Sequence, residues 1–85
     1  MKLRLDTGEA ATATAINENV LTVLSPRPFA PGAPIRFSMP SGETQRALEG
    51  RTIGSKRIDA ETFEVRLRFV NLRREDRAAI LQGLG

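Results

Sequence analysis

Along most of the chain, apolar and polar residues alternate one for one. The clearest case is FEVRLRF, residues 63–69, with Phe63, Val65, Leu67 and Phe69 on one side and Glu64, Arg66 and Arg68 on the other. Period-two alternation predicts a half-buried strand, because successive strand side chains point to opposite faces. The same rule predicts strands in KLRLD, with Leu3 and Leu5 inward, and in PIRFSM, with Ile35, Phe37 and Met39 inward. AATATAI repeats the period with small and β-branched residues, which implies close packing or a taper. VLTVL, from Val20 to Leu24, is apolar and β-branched and reads as a buried strand. Thr44 to Ile58 reads as one long extended segment. Its alternation falters around Leu48, Thr52 and Ile53, where Gly50 and Gly54 mark a bulge or barrel corner.

Turn residues separate these runs: Thr7-Gly8-Glu9, the Asn17–Asn19 corner, PSGE from Pro40 to Glu43, and DAET from Asp59 to Thr62. Between Ser25 and Pro34 lie Pro26, Pro28, Pro31 and Pro34. They remove amide donors and fix φ, so this stretch is expected to cross the outside of the sheet as a rigid loop. The last segment changes period. Leu72, Ala79, Ile80 and Leu84, with Leu81 beside them, form an apolar stripe at helical spacing. Asn71 is the expected N-cap, Glu75 and Asp76 sit where the helix dipole favours acids, and Gly83 or Gly85 is expected to end the helix. Six strands at short spacing followed by one helix predict an all-β fold with a terminal helix: a small six-stranded antiparallel β-barrel plus a C-terminal α-helix, one domain over residues 1–85.

Composition narrows the chemistry. The chain has 85 residues and no cysteine, histidine, tryptophan or tyrosine. That removes disulfides, thiolates, the commonest metal ligand and the usual general base. Ser25, Ser38, Ser41 and Ser55 have no histidine to activate them, and the only adjacent acids, Glu75 and Asp76, face different directions on a helix. No reaction can be written, and neither catalytic residues nor a metal site is expected. The pI of about 10.6 overstates the basic character. Eleven of the 13 basic residues are arginine, the net charge is only +3, and ten acids are interspersed. Nucleic acid is disfavoured as a partner, since only four aromatic side chains exist and Phe37, Phe63 and Phe69 are expected to be buried. No apolar run approaches the length of a bilayer span and none resembles a signal peptide, so cytoplasm is the expected location. The initial Met1 suggests a complete reading frame.

Several residues are candidate contacts. Arg66 and Arg68, with Arg36 and Arg51 on adjacent strands, form either an exposed cationic face or a solvated exterior balanced by Glu64 and Glu49. Arg73, Arg74 and Arg77 at the helix start either grip an anion or pair with Glu75 and Asp76. Phe29, set among rigid prolines, either anchors a partner or tucks back to close one end of the barrel. Leu81 and Leu84 are a docking edge if the helix leaves them uncovered. Asn17 and Asn19 read as corner residues with turn chemistry and no further role.

The ordered phrases PFAPGAPIRFSMP and LEGRTIGSKRIDAETFEVRLRFVNLRREDRAAIL resemble the PilZ domain family over roughly Val20 to Leu84, most specifically in EVRLRFVNLRREDRAAIL. The resemblance implies a bacterial signalling module related to receptors for cyclic di-GMP. Members that bind this ligand carry RxxxR before the first barrel strand and [DN]xSxxG near the second and third. This chain departs at both. No RxxxR precedes Arg4, and AINENV places Ala15 where the acid or amide is expected, Asn17 where serine is, and Val20 where glycine is. A valine where backbone must approach a ligand is a steric objection as well. The resemblance therefore implies a member acting through protein contacts, as in type IV pilus or motility control, with no cofactor. The alternative is a cyclic di-GMP receptor using a non-standard set of Arg4, Arg36, Asn17 and Arg66. A third reading is a small nucleic-acid-binding barrel.

Overall fold

The computed structural model describes residues 1–41 and 43–84. Its strands are β1 (Lys2–Leu5), β2 (Ala10–Asn17), β3 (Val20–Ser25), β4 (Pro34–Ser41), β5 (Thr44–Arg57) and β6 (Phe63–Phe69), followed by helix α1 (Arg74–Leu84). All neighbouring strands are antiparallel, and they close into a barrel in the order β1-β2-β3-β6-β5-β4. The all-β barrel with a terminal helix expected from the alternation is the observed fold. Closure comes from β1 against β4, where Leu5 faces Phe37 across the seam.

Alternation also sorts the residues correctly. Leu3, Leu5, Leu21, Val23, Ile35, Phe37, Met39, Val65, Leu67 and Phe69 fill the interior. The Phe37 and Phe69 rings meet at 6.1 Å between centroids, tilted by 54°. Ala11 and Ala13 are buried as well, so the small residues of β2 do serve close packing. The long strand β5 contributes Gly50 and Thr52 to the inside. Gly50 lies opposite Phe69 on β6 and Ile35 on β4, and Leu67 Cδ1 occupies the space its side chain would take. The β5 register shifts between Thr52 and Gly54, which is a bulge that turns Ile53 outward. The two glycines thus do different work.

The proline-rich segment departs from expectation. Gly32 donates its N–H to the Thr52 carbonyl at 2.7 Å, and Thr52 donates to the Ala33 carbonyl at 2.9 Å. The residues between the prolines keep their amides, so the segment runs along β5 and extends its ladder. Ser25 ends β3 and Pro34 begins β4, where a missing amide is tolerated. The expected PSGE turn is shorter than its four letters: β4 continues through Pro40, paired with Gln45. Pro40 lies past the last β1–β4 pair, Arg4 with Ser38, so no partner on that side needs its amide.

Helix α1 also begins later than expected. Asn71 is in the left-handed region (φ 59°) and caps nothing; the Arg73 N–H instead donates to Asp76 Oδ2 at 3.1 Å. A carboxylate three residues into the helix reaching back to the residue before it satisfies one orphan amide of the first turn. Gly83 sits inside the helix rather than ending it, with the Met1 side chain packed where a Cβ would go. Gly85 lies outside the described residues. Ile80 is fully buried, while Leu72, Ala79 and Leu84 are half-buried against the core. The helix therefore lies against the barrel and covers one end, and it is far too short and polar to cross a membrane.

Candidate interaction surface

Two side-chain contacts tie α1 to distant segments of the barrel. Asp76, with its side chain only 8% exposed, accepts from Arg46 Nη1 of β5 at 2.7 Å. Arg77 Nη2 donates to Asn19 Oδ1 in the β2–β3 corner at 2.8 Å. The Asn19 carbonyl accepts from the Phe69 N–H at 2.8 Å, so this corner ties β6 and the helix together. Asn19 is thus more than a turn residue. Arg73 and Arg74 are exposed, and Asp76 is committed to Arg46, which corrects the expectation that the helix arginines pair with Glu75 and Asp76. Neither Arg46 nor its role was legible. Its partner is 30 residues away, and no local spacing signals such a contact.

Between the helix start and the β4–β5 wall lies an open cleft of about 490 Å³. Arg36, Arg46 and Arg73 line it together with Glu49, Asp76 and the exposed Val70. Two of the three guanidiniums are already engaged. Arg36 Nε donates to Glu49 Oε1 at 3.2 Å, and Arg46 is bound to Asp76. Glu49 is the cross-strand partner expected for the exterior arginines.

The residues of the proposed nucleotide set do not converge. Arg4 on β1 and Arg36 on β4 are near neighbours, since Arg4 pairs with Ser38, two residues along from Arg36. Arg66 is on β6, between β3 and β5, and thus on the far side of the barrel from β1. Arg4 Nη1 is spent on the Gly8 carbonyl at 3.0 Å. Asn17 ends β2, exposed, and pairs with Val20 in register. The left-handed residue of that corner is Glu18 (φ 57°), while Val20 is an ordinary strand residue.

Phe29 does not project into solvent. It is half-buried against the core, its N–H donates to Ser55 Oγ at 2.8 Å, and the same hydroxyl donates to its carbonyl at 2.7 Å. It therefore tucks back toward the core instead of standing out among the prolines. Ser55→Ala is expected to strand both backbone groups and cost about 1–2 kcal/mol in urea unfolding. Cleavage between residues 26 and 33 under limited proteolysis should rise with it. Among the helix candidates, Leu84 is covered while Leu81 stays 51% exposed.

The exterior of β5 and β6 carries a further group of cations. Arg51 and Arg68 are directly opposite one another, and Arg66 is two residues along on the same face. Glu64, expected to balance them, faces Lys56 in register. Among the described residues, no group of three or more acids, histidines or cysteines could hold a metal ion. No protein-family model, curated protein or solved structure matches the chain.

Proposed function

We propose that this chain is a PilZ-type barrel that works without catalysis, as a protein-interaction module of bacterial signalling in the setting of pilus or motility control. The observation that carries the reading is that Arg4, Arg36 and Arg66 do not converge: Arg66 on β6 lies across the barrel from Arg4 on β1, and it pairs with Gly54 of β5, five positions along from the Glu49 that pairs with Arg36. Nucleotide capture by arginine needs guanidiniums converging on one phosphate or guanine edge. Here Arg36 is held by Glu49 and Arg4 by the Gly8 carbonyl, while Arg66 lies across the barrel from Arg4 and well along β5 from Arg36. Val70 and Leu81 leave apolar side chains on the surface, where a protein partner could meet them.

Titration with cyclic di-GMP, followed by amide NMR shifts and calorimetry, tests this reading. The expected result is no saturable shift and no heat at high ligand concentration. Saturable shifts at Arg4, Asn17, Arg36 or Arg66 would replace the module with a nucleotide receptor. Affinity capture on the immobilised barrel supplies the positive arm, with a specific protein retained at physiological salt.

A further inference from the structure

The structure assigns a docking surface for an extended acidic segment of a protein partner to the outer wall formed by Arg51, Arg66 and Arg68. This inference rests on the reading of the barrel as an interaction module and names the chemistry of its partner. Arg51 and Arg68 are in register across β5 and β6, so their Cα atoms lie about 5 Å apart. Like charges set directly opposite on a strand pair repel, and none of the three arginines has an acidic partner among the described residues. Elsewhere on the barrel the chain does neutralise exterior arginines, as Glu49 does for Arg36 and Glu9 for Arg27. The wall is thus a place where positive charge is concentrated without internal compensation. Arg51 has only a long contact, 3.3 Å, to the Gly32 carbonyl.

The spacing selects the form of the anion. Arg66 and Arg68 are two residues apart on one face, about 6.6 Å at the rise of a strand. A partner chain in extended conformation carries alternate side chains at the same interval, so acids at every second position meet both guanidiniums in turn. Beside them the bulge leaves a notch of about 360 Å³ over Gly54, where a Cβ would meet no atom within 4 Å. Ile53, 36% exposed, lines that notch and offers contact to an apolar residue flanking the acids. Glu64 and Lys56 bound its other side and limit the acidic stretch to the arginine end. Because the barrel is closed, docking proceeds through side chains and not through addition of a strand to an edge. A single-stranded nucleic acid is the poorer fit, since Phe37 and Phe69 are buried, Phe29 and Phe63 pack against the core, and the wall offers no ring for a base to stack on.

The test is an amide NMR titration of the full chain with a terminally blocked peptide alternating glutamate with valine and threonine. Shifts are expected at residues 51–56 and 64–68, weakening as salt shortens the reach of the charges. Arg66→Glu/Arg68→Glu and the neutral Arg66→Gln/Arg68→Gln are both expected to weaken binding about tenfold or more. Arg73→Glu/Arg74→Glu at the helix should leave it unchanged. An absence of shifts, shifts centred elsewhere, or equal binding by the double variants would overturn the assignment. So would displacement of the peptide by oligothymidylate of matched charge, which would make the wall a nucleic-acid surface. A partner captured by the barrel and still retained by Arg66→Glu/Arg68→Glu would remove this surface while leaving the module reading intact.

Discussion

Gly50→Ala is expected to destabilise the barrel by about 3 kcal/mol, near the upper end for overpacking. The added methyl would lie 2.6 Å from Leu67 Cδ1 and 2.8 Å from the Arg68 carbonyl oxygen. Leu67 is fully buried, so its side chain has little room to turn aside. The carbonyl belongs to the neighbouring strand, and moving it disturbs the β5–β6 ladder. A domain of 85 residues has roughly 4–13 kcal/mol of stability in all, so such a loss is a large share. Thermal unfolding should show it as a fall in Tm of about 12–20 °C. Gly54→Ala is the control. It sits on the bulge with nothing within 4 Å and is expected to change Tm little. A mild Gly50→Ala would mean that β5 and β6 are free to separate there.

Asp76→Ala should cost about 2–4 kcal/mol and loosen α1 first. Asp76 Oδ1 accepts from Arg46 and Oδ2 from the Arg73 N–H, so one carboxylate serves the barrel and the helix start together. Removal leaves an amide without its acceptor and a guanidinium that is 34% exposed without its counter-charge. Partial exposure lets Arg46 recover some hydration, which keeps the loss below that of a fully buried pair. Asn is no remedy, since it offers one acceptor oxygen where two are used. Hydrogen exchange should show amides 77–84 opening ahead of the strands. Arg46→Met/Asp76→Leu should lose less than Asp76→Ala, because neither charge is then left alone. Equal losses would mean that the ion pair contributes little beyond the backbone bond.

Much of the barrel was readable from letters alone. In β4 and β6 alternate residues point to opposite faces, so Ile35, Phe37 and Met39, and Val65, Leu67 and Phe69, declare the inside without help from any neighbour. Turns such as Thr7-Gly8-Glu9 are equally local: Gly8 takes φ 95° and donates to the Leu5 carbonyl. The candidate surface was legible only in part. Arg51, Arg66 and Arg68 could be placed on the exterior, yet that Arg51 faces Arg68 depends on the register after a bulge. Phe29 was ambiguous for a similar reason, because its fate turns on Ser55, 26 residues away.

By itself the sequence determined the strands, their inward faces, the turns, the presence of one terminal helix, and the absence of histidine and cysteine chemistry. These follow from local propensity and from the period of the pattern. Only the tertiary structure decided which glycine is a close approach and which a bulge, where the helix begins, and which arginines are neutralised. Gly50 and Gly54 are the same letter, and their roles differ because Leu67 fills one site and leaves the other open. Asp76 is one of two adjacent acids in the sequence, and Arg46 of β5 singles it out. Contacts between residues far apart in the chain depend on barrel closure and strand register, which no local window contains.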